Sequence, residues 1–207
     1  MKVWAWSGGV SNFGDELGPV VLERLGHDVE RVLTMEEADL IACGSLLEDA
    51  AVNAKPGTVV WGSGLMFGES ADLSHLDVRA VRGRLTARAC GLTSDVVTAD
   101  PGALVPALWT KPAVRRDLGV VRHYVDEEKY PWADATIDAT APVDEVIDFI
   151  GSCQRVASSS LHGLIVAHAW HLPTLRLPHP GVAGGDFKWA DWLSGLHDPL
   201  RLVELLP

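Results

Sequence analysis

One pattern limits this chain more than any other: short apolar runs stop at small or polar residues and give way to helical spacing, again and again. The opening stretch "MKVWAWSGGVSNFGDELGPVVLERLG" shows the hand-over once, and the rest of the chain repeats it. Alternation of this kind builds layered α/β folds with parallel strands. It predicts strands at 2–6, 39–42, 58–61, 78–81 and 96–98, with helices at 15–25, 46–54 and 84–89. The segment "DPGALVPALWTKPAVRRDLG" is proline-rich and aperiodic, which suits a crossover. A second series follows: strands in "LGVVRHYVD", "DATID", "QRVASS" and "PTLRLP", and an amphipathic helix in "PVDEVIDFIGSC" with Pro142 in its first turn. "LHGLIVAHAWH" reads as a buried helix, and the tail "DFKWADWLSGLHDPLRLVELLP" as two short ones. The expected architecture is therefore two small Rossmann-like lobes, 1–108 and 109–207, whose parallel sheets face a cleft. Ligands in such sheets bind at the carboxyl ends of strands.

Length and composition remove several classes of function. The 207 residues suffice for one large domain or two small lobes. Apolar residues at 47% and charged residues at 22% are ordinary for a globular enzyme or binding protein. A net charge of −11 argues against a nucleic-acid partner, whose phosphates need a basic face. It leaves room for an anionic small molecule held by a few local cations. Cys43, Cys90 and Cys153 are odd in number and far apart, so neither a disulfide framework nor a structural zinc site is expected. A reducing compartment fits them. "MKVWAW" is too short for a signal peptide or a membrane span, and the cytoplasm is the expected location. No fixed-period repeat or low-complexity tract is present.

Four loops carry candidate chemistry. In the first, Gly8, Gly9 and Gly14 allow close backbone approach, Ser11 or Asn12 can cap the following helix, and Asp15 lies in its first turn. In the second, "WGSGLMFG" places Gly62, Ser63 and Gly64 where backbone N–H groups could meet a ligand. The third, "VRAVRGRLTARACG", puts Arg82 directly after a strand, where its planar fork would project into the cleft and suit a carboxylate or phosphate. Arg84 and Arg88, on the helix itself, are expected to be solvated. The fourth, "VASSSLHGLIVAHAW", sets Ser158, Ser159 and Ser160 at a strand-to-helix junction suited to an anion, with His162 in the helix's first turn. His123, after "VVR", is a comparable strand-end residue. His168 and His171 read as core histidines, not a metal pair, because no third ligand accompanies them. The chain has no G-x-G-x-x-G, P-loop or G-x-S-x-G signature.

In order along the chain, "NFGDELGPVVL", "VWGSGLMFG", "VRGRLTARACG", "DPGALVP", "GVVRHYVD", "SSSLHGLIVAHAWHLPTLRL" and "DFKWADWL" resemble the polysaccharide pyruvyl transferase family. The resemblance spans nearly the whole chain. It implies a GT-B-like fold and transfer of the enolpyruvyl carbons of phosphoenolpyruvate to a sugar or glycan acceptor, usually as a ketal bridging two hydroxyls. It implies no metal or organic cofactor.

By the same resemblance His162 matches the family's histidine near the donor, Arg82 its donor-binding arginine, and Asn12, Gly14 and Asp15 its cleft-facing N-terminal loop. Many members carry arginine where this chain has Ser160, so Arg122 is expected to meet donor charge instead. His162, or secondarily His123, would supply or relay the proton to the methylene carbon, and Asp15 would orient or deprotonate the sugar hydroxyl. Ser159, Ser160 and Ser63 would line the binding site, and Lys188 would either face the cleft or be exposed. Trp189 and Trp192 suit sugar stacking and core packing equally. Two other readings compete: a GT-B glycosyltransferase using a nucleotide-sugar, and a non-catalytic carbohydrate-binding relative.

Overall fold

A computed structural model describes residues 1–195 and 206. Ten parallel strands form two sheets. The first contains β1 (Lys2–Trp4), β2 (Glu30–Arg31), β3 (Leu40–Ile41), β4 (Val59–Trp61), β5 (Asp77–Val81) and β6 (Val97–Thr98), in the order β2-β1-β3-β4-β5-β6. The second contains β7 (Arg116–Arg122), β8 (Ala135–Asp138), β9 (Cys153–Ser158) and β10 (Thr174–Arg176), in the order β10-β9-β7-β8. The helices are α1 (Phe13–Arg24), α2 (Leu47–Asn53), α3 (Arg84–Ala89), α4 (Val105–Leu108), α5 (Val143–Gly151), α6 (Leu161–Ala169) and α7 (Phe187–Ser194).

The chain divides into two compact units, each holding one sheet. Of the described residues up to 195, residues 1–6, 18–101 and 184–195 form one; residues 7–17 and 102–183 form the other. Beside the expected division into 1–108 and 109–207, residues 184–195 group with the N-terminal sheet and residues 7–17 with the C-terminal sheet.

Local physics accounts for the elements. In the first unit the central strands β3 and β4 are wholly apolar, and Ile41, Val60 and Val81 bury with Leu47 and Ala50 of α2 in one apolar cluster. A parallel strand covered on both faces needs that composition. In the second unit α5 buries Val143, Val146, Ile147 and Ile150, the i, i+3, i+4 and i+7 stripe of an amphipathic helix. Helix α6 is buried on all sides from Leu161 to Ala167, as its apolar sequence requires.

The short strand β2 and the helix α4 are the elements that the apolar pattern does not predict. Both residues of β2 are exposed, so no burial signal marks it, and α4 lies inside the proline-rich crossover. His168 and His171 are exposed instead of core. His171 takes a left-handed φ of 57° just past α6, with its N–H bonded to His168 O and Leu172 N–H to Ala167 O, so it terminates the helix. The first tail helix is α7; the second expected one lies outside the described residues. Trp189 and Trp192 of α7 are core residues, 4% and 6% exposed. Among the described residues no helix is long and apolar enough to cross a membrane.

Candidate functional site

Strand order in the second sheet defines where a ligand can enter. From β7 the chain passes to β8 on one side, then returns by way of α5 to β9 on the other. The connections leaving β7 and β9 therefore run to opposite sides, and such a switch point is where open α/β sheets bind ligands. Strand β7 ends at Arg122 and is followed by His123; β9 ends at Ser158 and is followed by Ser159, Ser160 and the first turn of α6, which carries His162.

The N-terminal loop belongs to the same unit and meets the same place. The N–H of Phe13 donates to Ala139 O, immediately after β8, at 2.7 Å. This bond seats the start of α1 at the carboxyl end of the sheet. Asn12 closes the helix start: its Oδ1 accepts the Gly14 N–H at 3.2 Å, and its Nδ2 donates to Asp15 Oδ2 at 2.7 Å. Asp15 is half-buried. The Phe13 ring meets the His162 imidazole edge-on, with centroids 6.4 Å apart. A Cβ on Gly14 would lie 2.2 Å from His162 Nδ1, so only glycine lets the histidine reach the helix. The glycine of "NFGD" is thus explained by the histidine of "SLHG".

The serines are ordered by their neighbours. Ser158 Oγ donates within the junction and accepts the Ser160 N–H at 2.9 Å. Ser159 Oγ accepts the His123 N–H at 2.9 Å and donates to the Asp126 carboxylate. Ser160 precedes α6 with extended backbone and makes no side-chain cap bond. The first-turn amides of α6, at the positive end of its dipole, are therefore not capped by that hydroxyl.

Asp126 escaped sequence reasoning and turns out to be the hub of this corner. Its side chain is 0% exposed and accepts from Ser159 Oγ, from Tyr130 Oη at 2.8 Å and from the Glu128 N–H at 3.0 Å. Burial alone would raise its pKa, but these hydrogen bonds outweigh it and hold the carboxyl below its ordinary value. Burial and the bond to Asp126 push the Tyr130 hydroxyl up to about 12. The polar run "HYVDEE" straight after an apolar strand was the available signal.

Of the predicted site residues, the second unit thus collects Asn12, Gly14, Asp15, Arg122, His123, Ser159, Ser160 and His162. Arg122 differs from expectation. Its Nε and Nη2 both meet Asp138 Oδ1, at 2.7 and 2.6 Å, and its Nη1 donates to Glu128 O. Its charge is matched by a carboxylate one strand away, because Arg122 and Asp138 are register partners.

Arg82, Ser63 and Lys188 lie in the first unit, and all three are buried. Arg82 does not project outward: it is 1% exposed, with Nε on Asp191 Oδ2 at 2.9 Å, Nη1 on Ser45 Oγ and Nη2 on Leu65 O, both at 2.6 Å. Ser63 is fully buried and donates to Gly44 O. The flanking Gly62 and Gly64 amides are spent on Ala80 O and Gly44 O, continuing the sheet's bonding beyond β4. Lys188 is 7% exposed, neither on the surface nor extended from it, with its stem against Gly184. Arg84 and Arg88 are exposed, as expected for helix-borne arginines.

Comparison with known proteins agrees with the motif order. The family model described as polysaccharide pyruvyl transferase matches residues 5–179. The chain is 29% identical over 208 aligned positions to the succinoglycan biosynthesis protein ExoV of Rhizobium meliloti, covering 95% of this chain and 65% of that protein. It therefore spans just under two thirds of ExoV's length. An uncharacterized protein of Acanthamoeba polyphaga mimivirus is 25% identical, over 88% of this chain and 70% of its own. Among solved structures, a protein of uncharacterized function from Klebsiella pneumoniae superposes with a TM-score of 0.51 at 14% identity, covering 87% of this chain and 84% of that one. At that identity the likeness speaks for the α/β fold.

Proposed function

The chain belongs to the polysaccharide pyruvyl transferase family, and from that premise we propose that it moves the enolpyruvyl carbons of phosphoenolpyruvate onto sugar hydroxyls of a glycan, closing a pyruvate ketal. In this reading the two sheets are the halves of a GT-B-like enzyme. The observation that carries it is the seating of His162 against the start of α1, at the carboxyl end of β9. A histidine, a carboxylate on the neighbouring helix and the first turn of α6 share one corner of one unit.

The chemistry balances without a redox partner. The methylene carbon of phosphoenolpyruvate gains a proton and becomes a methyl group, leaving positive charge on the central carbon. One sugar hydroxyl adds to that carbon, the carbon–oxygen bond to phosphate breaks, and a second hydroxyl closes the ring. Two hydroxyl protons are released; one replaces the proton used at the methyl, and the other leaves with phosphate. In our assignment His162 delivers or relays the first proton. Asp15, held by Asn12, orients the hydroxyl and accepts its proton. The amides at the start of α6 take a phosphate or carboxylate oxygen, a role suited to a helix N-terminus. Ser160 does not cap those amides with its hydroxyl, and His123, whose N–H is fixed on Ser159, stands at the next strand end.

The test is acceptor-dependent release of phosphate from phosphoenolpyruvate, followed with the ketal methyl signal in the proton NMR spectrum. Wild type should produce both signals together. His162→Ala should lower turnover by about two orders of magnitude or more, the usual loss for general acid–base groups. Unchanged turnover in that variant removes His162 from the role.

A further inference from the structure

Beside the histidine corner lies a second feature that the donor chemistry does not use. A cavity of about 260 Å³ opens at the carboxyl ends of β7 and β8, lined by Arg122, Tyr124, Asp126, Glu127, Asp138 and Thr140. We propose that this cavity is the acceptor subsite and that it holds one neutral hexopyranose ring. The inference rests on the pyruvyl-transfer reading for its role, but the binding it asserts can be measured separately.

Size is the first argument. At about 260 Å³ the cavity lies just under the range of about 300–1,000 Å³ usual for pockets that hold drug-sized ligands, which suits a single sugar ring better than a nucleotide. Lining chemistry is the second. Planar carboxylates and a guanidinium can bridge neighbouring hydroxyls, and Arg122 with Asp138 presents such a pair already locked together. Tyr124 supplies an aromatic wall for the apolar C–H face of a pyranose; its ring leans on His123 at 4.3 Å between centroids.

Charge is the third argument and decides the class of ligand. Three carboxylates face one guanidinium, and that guanidinium is already paired. An anion such as phosphoenolpyruvate, a nucleoside diphosphate or a uronate would enter against this field. A neutral polyol meets no such penalty. A bare cation would compete with Arg122 for Asp138 Oδ1 and with Ser159, Tyr130 and the Glu128 N–H for Asp126.

Position completes the case. Asp138 and Thr140 flank Ala139, whose carbonyl receives the Phe13 N–H at the start of α1. The cavity wall and the helix turn carrying Asp15 are thus fixed to each other through one residue. A hydroxyl pair on a bound ring is held on the same sheet edge as the groups assigned to the chemistry.

The experiment is saturation-transfer NMR and calorimetry on the whole chain, with and without phosphoenolpyruvate. The probes are methyl β-D-glucopyranoside, methyl β-D-galactopyranoside and methyl β-D-glucopyranosiduronate. The expected result is binding of at least one neutral glycoside, at least tenfold weaker binding of the uronate, and a loss of at least tenfold in Tyr124→Ala that Tyr124→Phe restores. Phosphoenolpyruvate binding should be unchanged in Tyr124→Ala. Absence of glycoside binding in both conditions, binding indifferent to Tyr124→Ala, or loss of phosphoenolpyruvate in its place would overturn the assignment. Tyr124-dependent glycoside binding by a chain that ignores phosphoenolpyruvate would keep the sugar site and discard the pyruvyl donor.

Discussion

Arg82 and Asp191 stand 109 residues apart in the chain and 2.9 Å apart in space, both side chains almost wholly out of solvent. Asp191 also accepts the Thr86 N–H and hydroxyl, at 2.7 and 2.8 Å, so one carboxylate ties α7 to the start of α3. Between Arg82 and α3 sits Gly83, where a Cβ would fall 1.9 Å from Asp191 O. The "VRG" motif is therefore a docking point for α7.

Removing one member of this pair strands a buried charge. Asp191→Ala should destabilise the first unit by about 3–5 kcal/mol, the range for breaking a buried ion pair. The double variant Arg82→Met with Asp191→Leu should be more stable than Asp191→Ala alone, since it leaves no unpaired charge. Urea denaturation of the three proteins checks both statements. A double variant as unstable as the single one would mean that hydrogen bonding to Ser45 and Leu65, not charge pairing, dominates.

Gly14→Ala separates helix propensity from active-site geometry. Within a helix the exchange ordinarily stabilises by about 1 kcal/mol. Here the added methyl would meet His162 Nδ1 and Cγ at 2.2 and 2.8 Å, so the imidazole must move. A displacement near 1 Å typically costs about 100-fold in rate. We expect kcat/KM to fall by about 10- to 100-fold while the melting temperature changes little. Undiminished turnover would show that His162 does not act from this position.

The Tyr130–Asp126 bond gives opposite signs at the two ends of the pH scale. Asp126 has a lowered pKa, so its contribution is complete above the ordinary aspartate value of about 4 and disappears as pH falls through the lower folded value. Tyr130 has a raised pKa, so its contribution is complete below the ordinary tyrosine value of about 10 and is lost as pH climbs toward about 12. The chain has only two tyrosines, which makes the alkaline limb readable by ultraviolet tyrosinate absorbance. One of the two steps should lie near pH 12 and vanish in Tyr130→Phe. Both tyrosines ionising together near pH 10 in the folded protein would contradict the Asp126 network.

Most of the fold was legible because apolar strands and amphipathic helices leave periodic marks. β2 left none, being two exposed residues at a sheet edge. The site was legible in part, for a physical reason. His162, Ser159, Ser160 and Asn12 stand at strand and helix ends, which local sequence reveals. Arg82 also stands at a strand end, yet its partner comes from a helix more than a hundred residues later, and no local pattern announces that. Lys188 is buried where an exposed lysine was the alternative expectation, since an amphipathic helix does not disclose what covers its polar face. Asp126 looked like one acid among "DEE"; only the return of β9 beside β7 brings Ser159 to it.

Phosphoenolpyruvate is expected to bind at the His162 corner. Calorimetric titration with phosphoenolpyruvate, UDP and GDP, on wild type and His162→Ala, tests it most directly. The account predicts saturable binding of phosphoenolpyruvate, weakened at least several-fold in the variant, with no heat from either nucleotide. Nucleotide binding without phosphoenolpyruvate binding would contradict it and favour a nucleotide-sugar glycosyltransferase.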